Sequence, residues 1–423
     1  MSFAGRALHF IGIGGAGMSG LALVSKQLGA TVTGSDQAES SYTALLRAAG
    51  IEPAIGHDAA NVPDGAEVVV STAIPGDNPE LAAARAAGAR VLHRGDLLGE
   101  LSQMKKTIAV SGTHGKTTTA SMIALALLET GRDPAFLIGG ELRAAGTNAA
   151  WGEGEWAVIE ADESDRSFLK LRRDVAVVTN VELDHHATYG SLSELEDAFA
   201  EFTRPAAAVV RPADLTAADL VLGRGSSRFA VDGVPVALDV PGEHNVLNAL
   251  AALAALRAAC VPVAEAAPAL AKFTGAGRRF EAHGRTAGGA EVYDDYAHHP
   301  TEVRATLAAA RTLEPRRLVA AFQPHLYSRT KMLAREFGDA LAVADLIVVL
   351  DVYRARERPE DFPGVSGYLV AEAAADAAGG RPVWWMPSVD DAERALAGEL
   401  TEGDVLVTLG AGNVDELAKG LAG

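Results

Sequence analysis

Cysteine is nearly absent from this chain, since Cys260 is the single one among 423 residues. A disulfide needs two cysteines and a cysteine metal cage needs several, so an internal disulfide and such a cage are both excluded. Cys260 lies in the alanine-rich segment "NALAALAALRAACVPV". We therefore expect it to be a small, buried apolar residue.

Positively charged residues are also few compared with negatively charged ones. The chain has 37 Lys and Arg residues against 55 Asp and Glu residues, a formal charge of −18 and a pI near 5.1. No run is rich in Lys or Arg, so a nucleic acid would be repelled, and we expect no nucleic-acid partner. Anionic substrates of small size must instead be bound by local groups of side chains.

Long apolar runs are missing as well. None approaches the roughly 20 residues that span a bilayer, and the N-terminus lacks the charged-then-apolar pattern of a signal peptide. We therefore expect a cytoplasmic protein without a membrane partner. A chain of 423 residues with 48% hydrophobic content is too long for one core and predicts several domains.

Short Val/Ile/Leu runs alternate with helical segments in three successive stretches, the pattern of doubly wound α/β domains. The first stretch opens with "ALHFIGI", the second with "TIAVSG" after the polar "GELSQMKK", and the third near residue 276. Residues 204–242, rich in Pro and Gly, predict an insertion or a peripheral sheet. We predict three consecutive α/β domains, at residues 1–103, 104–275 and 276–423.

The stretch "FIGIGGAGMSG" carries a first glycine loop. Gly12, Gly14 and Gly17 complete the G-x-G-x-x-G pattern after an apolar run, and Asp36 ends the next apolar run about 20 residues later. Backbone N–H groups and the positive end of a helix dipole bind a phosphate or diphosphate at such a turn. NAD and a nucleotide sugar both satisfy this pattern, so an NAD-dependent dehydrogenase stays open at this point.

The stretch "IAVSGTHGKTTT" carries a second glycine loop, of the nucleotide triphosphatase kind. A strand, a glycine turn, Lys116, Thr117 and a helix follow in the order that a triphosphate needs: Lys116 for phosphate oxygens and Thr117 for Mg²⁺. The common pattern has a glycine where Val110 stands, and Gly112 takes over the turn. The loop predicts ATP and Mg²⁺ as cofactors.

Polar clusters follow two further predicted strands of the second stretch. "VIEADESD" places Glu160, Asp162, Glu163 and Asp165 at a strand end, and "VVTNVELDHHATY" places Asn180, Asp184, His185 and His186 at another. The carboxyl ends of parallel strands are where open α/β sheets bind ligands, and Mg²⁺ takes carboxylate oxygens. These clusters therefore predict the metal site beside the triphosphate loop.

The last third also places charged and aromatic side chains at predicted strand ends or domain joins. Arginine offers a planar set of donors to carboxylate or phosphate, so these residues are candidate anchors for anionic substrates and for a transferred phosphoryl group. They are Arg278, Arg279, Asp294, Asp295, His298, His299, His325, Tyr327 and Arg329.

Several of these motifs together resemble the Mur ligase family, in family order over nearly the whole chain. They include "GTHGKTTT", "EADESD", "TNVELDH", "GEHNVLNALAA", "GAGRRFE" and "YDDYAHHPTEV", and the opening "HFIGIGGAGMSGLA" favours its alanine-adding branch. The resemblance implies a Rossmann-like first domain for a UDP-sugar, a central P-loop ATPase-type domain and a Rossmann-like third domain for the amino acid. It implies joining of L-alanine to the lactyl carboxylate of UDP-N-acetylmuramate, through an acyl phosphate, by a monomer or weak homodimer.

The resemblance also implies a role for individual residues. The cofactor residues would be Gly112, Thr113, His114, Gly115, Lys116, Thr117 and Thr118 for the phosphates, Asn245 and Asn248 for adenine, Asp295 for ribose and Arg279 for the γ-phosphate. Lys116, Arg279, His185 and Glu160 would be catalytic, and Thr117, Glu160 and His185 would hold Mg²⁺, with Glu160 and His185 sharing a second ion. The substrate residues would be Gly14, Gly15, Ala16, Gly17 and Met18 for the diphosphate, Asp36 for the uridine ribose, Ser71, Thr72, Ala73 and Ile74 for uracil, and Tyr296, His298, His325 and Arg329 for alanine and the muramoyl carboxylate.

Two positions depart from the family pattern. Leu326 stands where alanine-adding members usually carry an arginine, so one carboxylate anchor would be missing or replaced. "SLSELEDAFAEFTRP" has no lysine, where several relatives have a carbamylated one. A family member that recycles muropeptides by joining a tripeptide to the same UDP-sugar remains the nearest alternative.

Overall fold

The computed structural model describes residues 2–185, 188–355 and 357–422. His186, which the sequence places in the predicted metal cluster, lies outside the described residues. The chain divides into two compact units. The first contains the chain up to Ala218 with Val231–Val236 and Leu247–Phe273, and the second contains Asp219–Ala230, Ala237–Val246 and the chain from Thr274 onward.

A parallel five-stranded sheet opens the first unit. Its strands are β1 (Ala7–Ile11), β2 (Thr31–Asp36), β3 (Ala54–Ile55), β4 (Glu67–Val70) and β5 (Val91–His93), and its helices are α1 (Ala16–Gln27), α2 (Ser41–Ala48), α3 (Pro79–Ala86) and α4 (Arg94–Ser102). The strand order is β3-β2-β1-β4-β5, so β1 lies between β2 and β4. The order confirms the doubly wound arrangement, whereas the sequence analysis did not predict α4.

A six-stranded sheet follows in the same unit. Its strands are β6 (Lys106–Ser111), β7 (Ala135–Leu142), β8 (Thr147–Trp151), β9 (Trp156–Glu160), β10 (Val175–Val178) and β11 (Ala208–Val210), with helices α5 (Lys116–Glu129) and α6 (Leu192–Thr203). The order is β11-β10-β6-β9-β7-β8, in which the edge pair β7 and β8 is antiparallel. β6 therefore lies between β9 and β10.

A small sheet and two helices connect this part of the chain to the last sheet. They are β12 (Ala218–Gly223), β13 (Ser226–Val231) and β14 (Val234–Leu238), followed by α7 (Glu243–Ala258) and α8 (Val263–Leu270). The peripheral sheet predicted for this region is present. Cys260 is exposed, and the expectation that it is buried is wrong. It lies just beyond α7 with a φ of +63°, the left-handed conformation in which a chain leaves a helix.

A second six-stranded sheet forms the centre of the second unit. Its strands are β15 (Glu281–Arg285), β16 (Glu291–Asp295), β17 (Arg317–Phe322), β18 (Leu346–Val349), β19 (Val383–Trp385) and β20 (Asp404–Leu409), and its helices are α9 (Pro300–Arg311), α10 (Tyr327–Leu341), α11 (Tyr368–Ala377), α12 (Val389–Glu399) and α13 (Asp415–Leu421). The order is β15-β16-β20-β17-β18-β19, with β15 antiparallel to its neighbour.

Alternate residues of β17 face two separate cores in this unit. Leu318 and Phe322 belong to a cluster that includes Val303 of α9 and Phe337 of α10. Val319 belongs to another cluster, formed with side chains of α12 and α13. Because side chains alternate across a strand, a strand covered by helices on both faces reads as the continuous apolar run seen in the sequence.

Each glycine loop leaves the carboxyl end of a strand that has a parallel neighbour on either side. The residues that follow those neighbouring strands therefore converge on the loop, which is where open α/β sheets bind ligands. In the part of the chain that the structure describes, no helix is both long enough and apolar enough to cross a membrane.

Candidate active site

The first glycine loop turns tightly between β1 and α1. Gly12 has a φ of +79°, and among the described residues no side chain caps α1 at Gly15. The start of α1 is thus suited to an anion. The Gly14 N–H donates to Asp36 Oδ2 at 2.8 Å, and a Cβ on Gly14 would lie 2.8 Å from Thr43 Cγ2.

The predicted nucleotide-sugar residues lie around this loop. Asp36, at the end of β2, also accepts a hydrogen bond from the Gln37 N–H at 2.8 Å, so its carboxylate holds the loop in place. A contact of Asp36 with ribose stays a prediction. Ala16, Gly17 and Met18 form the first turn of α1, and Ser71, Thr72, Ala73 and Ile74 follow β4 on the other side of β1.

The second glycine loop has no room for side chains at two positions. Gly112 has a φ of +133°, and a Cβ there would lie 2.0 Å from Thr179 Oγ1. Gly115, with a φ of +81°, precedes α5, and a Cβ there would lie 2.3 Å from Asn248 Oδ1. Glycine is therefore required at both positions by backbone conformation and by space. The predicted adenine residue Asn248 packs directly against the loop.

Residues after β10 hold the same loop from the other side. Asn180 Oδ1 accepts from the His114 N–H at 2.8 Å, and Asn180 Nδ2 donates to the His114 carbonyl at 3.0 Å. The Thr113 hydroxyl donates to the Glu182 carbonyl at 2.9 Å. Thr118, in the first turn of α5, is buried. The backbone of the loop is thus fixed before any ligand arrives.

Lys116 lies among carboxylates. Its Nζ donates to Glu163 Oε1 at 3.0 Å and to the Gly112 carbonyl at 2.6 Å. Burial by itself would lower the pKa of Lys116, but the carboxylates of Glu163, Asp162 and Glu160 raise it above its usual value. Lys116 therefore carries its positive charge at neutral pH.

His185 also meets Glu163, with its Nε2 3.2 Å from Glu163 Oε1. Burial opposes protonation of the ring, yet Glu163 and Asp184 raise the pKa of His185 above its usual value. Glu163 is 1% exposed, and its Oε2 has no hydrogen-bond partner among the described residues. Since an unsatisfied buried carboxylate oxygen is costly, this group is suited to a cation.

Glu160 ends β9 and faces the start of α5. Its Oε1 accepts from the Thr117 hydroxyl at 3.1 Å, and its Oε2 accepts from the Gly139 N–H at 2.7 Å. A Cβ on Gly139 would lie 2.8 Å from both carboxylate oxygens. A hydroxyl beside a carboxylate is the oxygen donor set that Mg²⁺ prefers. The structure thus places Glu160 with Thr117, and His185 with Glu163.

Asp295, at the end of β16 in the second unit, is 7% exposed. Its carboxylate accepts from the Phe280 N–H at 2.9 Å and from the Ala297 N–H at 2.8 Å. Burial raises the pKa of Asp295 to about 7, although the guanidinium of Arg279 opposes the shift. Asp295 is thus poised to change charge near neutral pH.

Arg278 and Arg279 both lie over the ring of Tyr296, each with its guanidinium carbon 5.2 Å from the ring centroid. Arg278 donates to Asp294 Oδ2 at 2.8 Å, which makes it part of the local framework. Arg279 Nη1 is 3.9 Å from Glu302 Oε1, beyond hydrogen-bond distance. Arg279 is therefore the better placed of the two for a substrate anion.

The predicted substrate residues of the second unit form a row. The ring of His298 lies 5.3 Å from that of Tyr296 and 6.0 Å from that of His325, centroid to centroid. Arg329 Nη1 lies 3.3 Å from His325 Nδ1 and its side chain is buried. Asn245, predicted for adenine, lies at the start of α7 and donates to the Pro241 carbonyl at 2.8 Å.

Leu326 precedes α10 in an unusual conformation. Its φ is +70°, where side chains are rare, and its N–H donates to the Tyr353 carbonyl at 3.0 Å. Such backbone costs on the order of 1–3 kcal/mol and is concentrated at functional sites. The residue that replaces the usual arginine is therefore strained and adjoins His325.

Sequence reasoning placed Glu163 in the predicted metal cluster without finding its partners, and it gave no role to Arg94. Glu163 was visible in "EADESD", but its contacts with Lys116 and His185 arise only when strand ends meet. Arg94 belongs to no motif, and it reaches Asp162, 68 positions away, with its Nη2 2.8 Å from Asp162 Oδ2. Neither the motifs nor the periodicity contained a signal for Arg94.

Three family models match the chain in succession. They are described as the Mur ligase family catalytic domain at residues 7–106, the Mur ligase middle domain at 110–217 and the Mur ligase glutamate ligase domain at 278–412. The chain belongs to the Mur ligase family. The resemblance drawn from the motifs is thus confirmed, and so is the three-domain α/β fold of this Mur ligase.

Relatives of this Mur ligase match nearly its whole length. A UDP-N-acetylmuramate–L-alanine ligase from Acidithiobacillus ferrooxidans is 45% identical, with 98% of this chain and 96% of that protein covered. Among solved structures, the UDP-N-acetylmuramate-alanine ligase from Thermotoga maritima gives a TM-score of 0.85 at 30% identity, covering 98% and 97%. A murein peptide ligase from Psychrobacter arcticus gives 0.72 at 27% identity, covering 99% of both chains.

Proposed function

We propose that this Mur ligase joins L-alanine to the lactyl carboxylate of UDP-N-acetylmuramate, with conversion of ATP to ADP and phosphate. One observation carries the proposal: the Gly112–Lys116 loop presents Lys116 beside the buried Glu163, and Thr117 beside Glu160. This is an ATP-binding arrangement with a place for a cation, in a chain 45% identical to an L-alanine ligase.

The first loop is proposed to bind the diphosphate of the UDP-sugar. It offers backbone N–H groups and the start of α1, which suit a diphosphate of any origin. A dehydrogenase that used this loop for NAD would leave the ATP-binding loop without a purpose. The reactive cofactor is therefore ATP at the second loop, and the diphosphate at the first belongs to the substrate.

The reaction needs activation because a free carboxylate is a poor electrophile. The lactyl carboxylate attacks the γ-phosphorus of ATP, and ADP leaves, which forms an acyl phosphate. The amine of L-alanine then attacks the acyl carbon, gives up a proton, and phosphate departs from the tetrahedral intermediate. Both steps place negative charge on phosphoryl oxygens, which fixed cations stabilise.

Lys116 is proposed to supply that fixed charge in the first unit. On binding ATP, its Nζ would exchange the Gly112 carbonyl for phosphate oxygens while Glu163 keeps it oriented. Thr117, Glu160 and His185 are the groups proposed to hold Mg²⁺, which screens phosphate charge when bound. The carboxylate and hydroxyl oxygens fit this ion.

Residues of the second unit are proposed to bind the other partners. Arg279 would bind the transferred phosphoryl group, and Asp295 would bind the ribose of ATP. The row of Tyr296, His298, His325 and Arg329 would meet alanine and the muramoyl carboxylate, because it combines a buried guanidinium with two imidazoles. The predicted domain boundaries, the oligomeric state and the cytoplasmic location stay predictions.

One assay tests the proposal. The purified protein is incubated with ATP, Mg²⁺, UDP-N-acetylmuramate and, in separate reactions, L-alanine, glycine, L-serine or a muropeptide tripeptide, and phosphate release and product mass are followed. We expect phosphate release that depends on L-alanine and a product of the mass of UDP-N-acetylmuramoyl-L-alanine. Release with the tripeptide alone would point to the recycling ligase, and release with no substrate would contradict the proposal.

A further inference from the structure

Arg94 connects the two sheets of the first unit. It is the first residue of α4, which follows β5 of the first sheet. Its Nη2 donates to Asp162 Oδ2 at 2.8 Å and to Asp165 Oδ2 at 2.9 Å, and both aspartates follow β9 of the second sheet. One guanidinium nitrogen therefore ties the first sheet to the acidic segment beside the ATP loop.

The other terminal nitrogen of Arg94 faces the first glycine loop. A Cβ on Gly17 would lie 3.3 Å from Arg94 Nη1, and Nη1 donates no hydrogen bond to any described residue. Gly17 belongs to the turn of α1 at which an anion is stabilised. A diphosphate bound there would lie beside an unused donor of a permanently charged guanidinium.

A cavity of about 190 Å³ joins these groups. Gly17, Arg94, Glu160 and Asp162 all line it. Arg94 thus lies on the path between the diphosphate loop and the carboxylate that faces Thr117.

The charges on this path are linked. Burial would raise the pKa of Asp162, but Arg94 and then Lys116 hold it well below its usual range. Asp162 therefore shares its negative charge between a guanidinium from the first sheet and the ammonium of the ATP loop. An anion that drew Arg94 away from Asp162 would leave more of that charge to a bound cation.

We propose that Arg94 is a positioning residue that couples the two nucleotide sites, so that the diphosphate of the UDP-sugar and Mg²⁺-bound ATP strengthen each other's binding. The inference rests on the proposed function for the identity of the two ligands. By linkage, each ligand then changes the affinity of the other by the same factor.

The test measures binding without turnover. Titration calorimetry gives the Kd of UDP-N-acetylmuramate with and without a saturating non-hydrolysable ATP analogue and Mg²⁺, for the wild type, Arg94→Gln, Arg94→Lys and Asp165→Asn. Arg90→Gln is the matched control, because Arg90 is an exposed arginine paired with Glu67 of β4 and Glu100 of α4.

We expect the analogue to tighten UDP-sugar binding by roughly five- to tenfold in the wild type, within the usual range of coupling. The ratio of the Kd without the analogue to the Kd with it should fall to about one in Arg94→Gln. It should recover partly in Arg94→Lys and keep the wild-type value in Arg90→Gln. Asp165→Asn, which leaves Arg94 and the loops intact, should change the ratio as well. Asp165→Asn keeps the test valid if Arg94→Gln does not fold.

Three results would overturn the coupling. One is a ratio near one in the wild type, the second is an unchanged ratio in Arg94→Gln without loss of UDP-sugar affinity, and the third is an unchanged ratio in Arg94→Gln with an equal loss of UDP-sugar affinity in the presence and absence of the analogue. Failure of the proposed function would instead be seen as no L-alanine-dependent phosphate release by the wild type. The two failures are therefore distinguishable.

Discussion

At the scale of single residues, Gly115 is one of two positions in the ATP loop that have no room for a side chain. Gly115→Ala would place a Cβ 2.3 Å from Asn248 Oδ1 at a φ of +81°, so the loop or the Asn248 side chain must shift. We expect roughly a tenfold or larger loss of affinity for an ATP analogue, because a loop displaced by an ångström no longer aims its N–H groups. Calorimetric titration measures the affinity of each variant for the ATP analogue.

Gly131→Ala is the matched control for Gly115→Ala. Gly131 also has a positive φ, of +70°, but a Cβ there meets nothing within 4 Å. It should lower the free energy of unfolding by about 1–2 kcal/mol, the cost of left-handed backbone, and leave ATP affinity unchanged. Equal affinities for the two variants would show that the clash with Asn248 is relieved without moving the loop.

Asp295 predicts a pH dependence at the same scale. Its pKa is 3.8 in a free side chain and about 7 in the fold. Between these values the folded state keeps a proton that the unfolded state has lost, so the free energy of unfolding falls as pH rises from about 4 to about 7 and then levels off. Asp295→Asn should remove this part of the slope.

Urea unfolding at several pH values between 4 and 8 measures the effect of Asp295. The exposed Asp339, changed to Asn, is the control and should keep the wild-type slope. A slope in Asp295→Asn equal to that of the wild type would contradict burial as the source of the raised pKa.

At the scale of elements, β7 and β9 together position the carboxylate of Glu160, which is proposed to hold Mg²⁺. Gly139 of β7 leaves space for Glu160 at the end of β9, and a Cβ there would lie 2.8 Å from both carboxylate oxygens. Gly139→Ala should push Glu160 away from Thr117 and lower turnover by roughly tenfold or more. The Mg²⁺ concentration for half-maximal rate should rise.

Steady-state rates against Mg²⁺ concentration check the Gly139 prediction. Gly398→Ala is the control: Gly398 lies in α12, where a Cβ meets nothing within 4 Å. Alanine there should add up to about 1 kcal/mol of helix stability without affecting the rate. A normal Mg²⁺ dependence in Gly139→Ala would exclude the contact between β7 and Glu160 as a determinant of metal binding.

At the scale of the whole molecule, the two glycine loops belong to different sheets, so each should bind its own ligand when the other site is empty. Lys116→Ala removes the charge that meets the phosphates, so turnover should fall below detection while UDP-N-acetylmuramate binding in the absence of ATP stays within about twofold of the wild type. Phosphate release and calorimetry measure the two properties. Lys106→Ala is the control, since Lys106 is half-exposed and pairs with Glu155. Loss of both properties in Lys116→Ala would argue against separate sites.

Part of the fold could be predicted because its causes are local. Apolar runs that alternate with helical segments predicted the α/β pattern, and the runs "ALHFIGI" and "TIAVSG" are observed as β1 (Ala7–Ile11) and β6 (Lys106–Ser111). Strand β7, which lies between β9 and β8, was missed, since "AFLIGGEL" has two glycines where a strand favours branched residues. Glycine at position 139 leaves space for the carboxylate of Glu160, and Glu160 belongs to another strand.

The sequence by itself determined the family, the α/β class and the positions of the two glycine loops, because glycine spacing and apolar periodicity are properties of neighbouring residues. Only the tertiary structure decided what the charged groups do: Asp36 holds Gly14, Glu163 joins Lys116 to His185, and Arg94 reaches the acidic segment. These contacts bring together residues tens of positions apart. Strand order, rather than position along the chain, determines which of them meet.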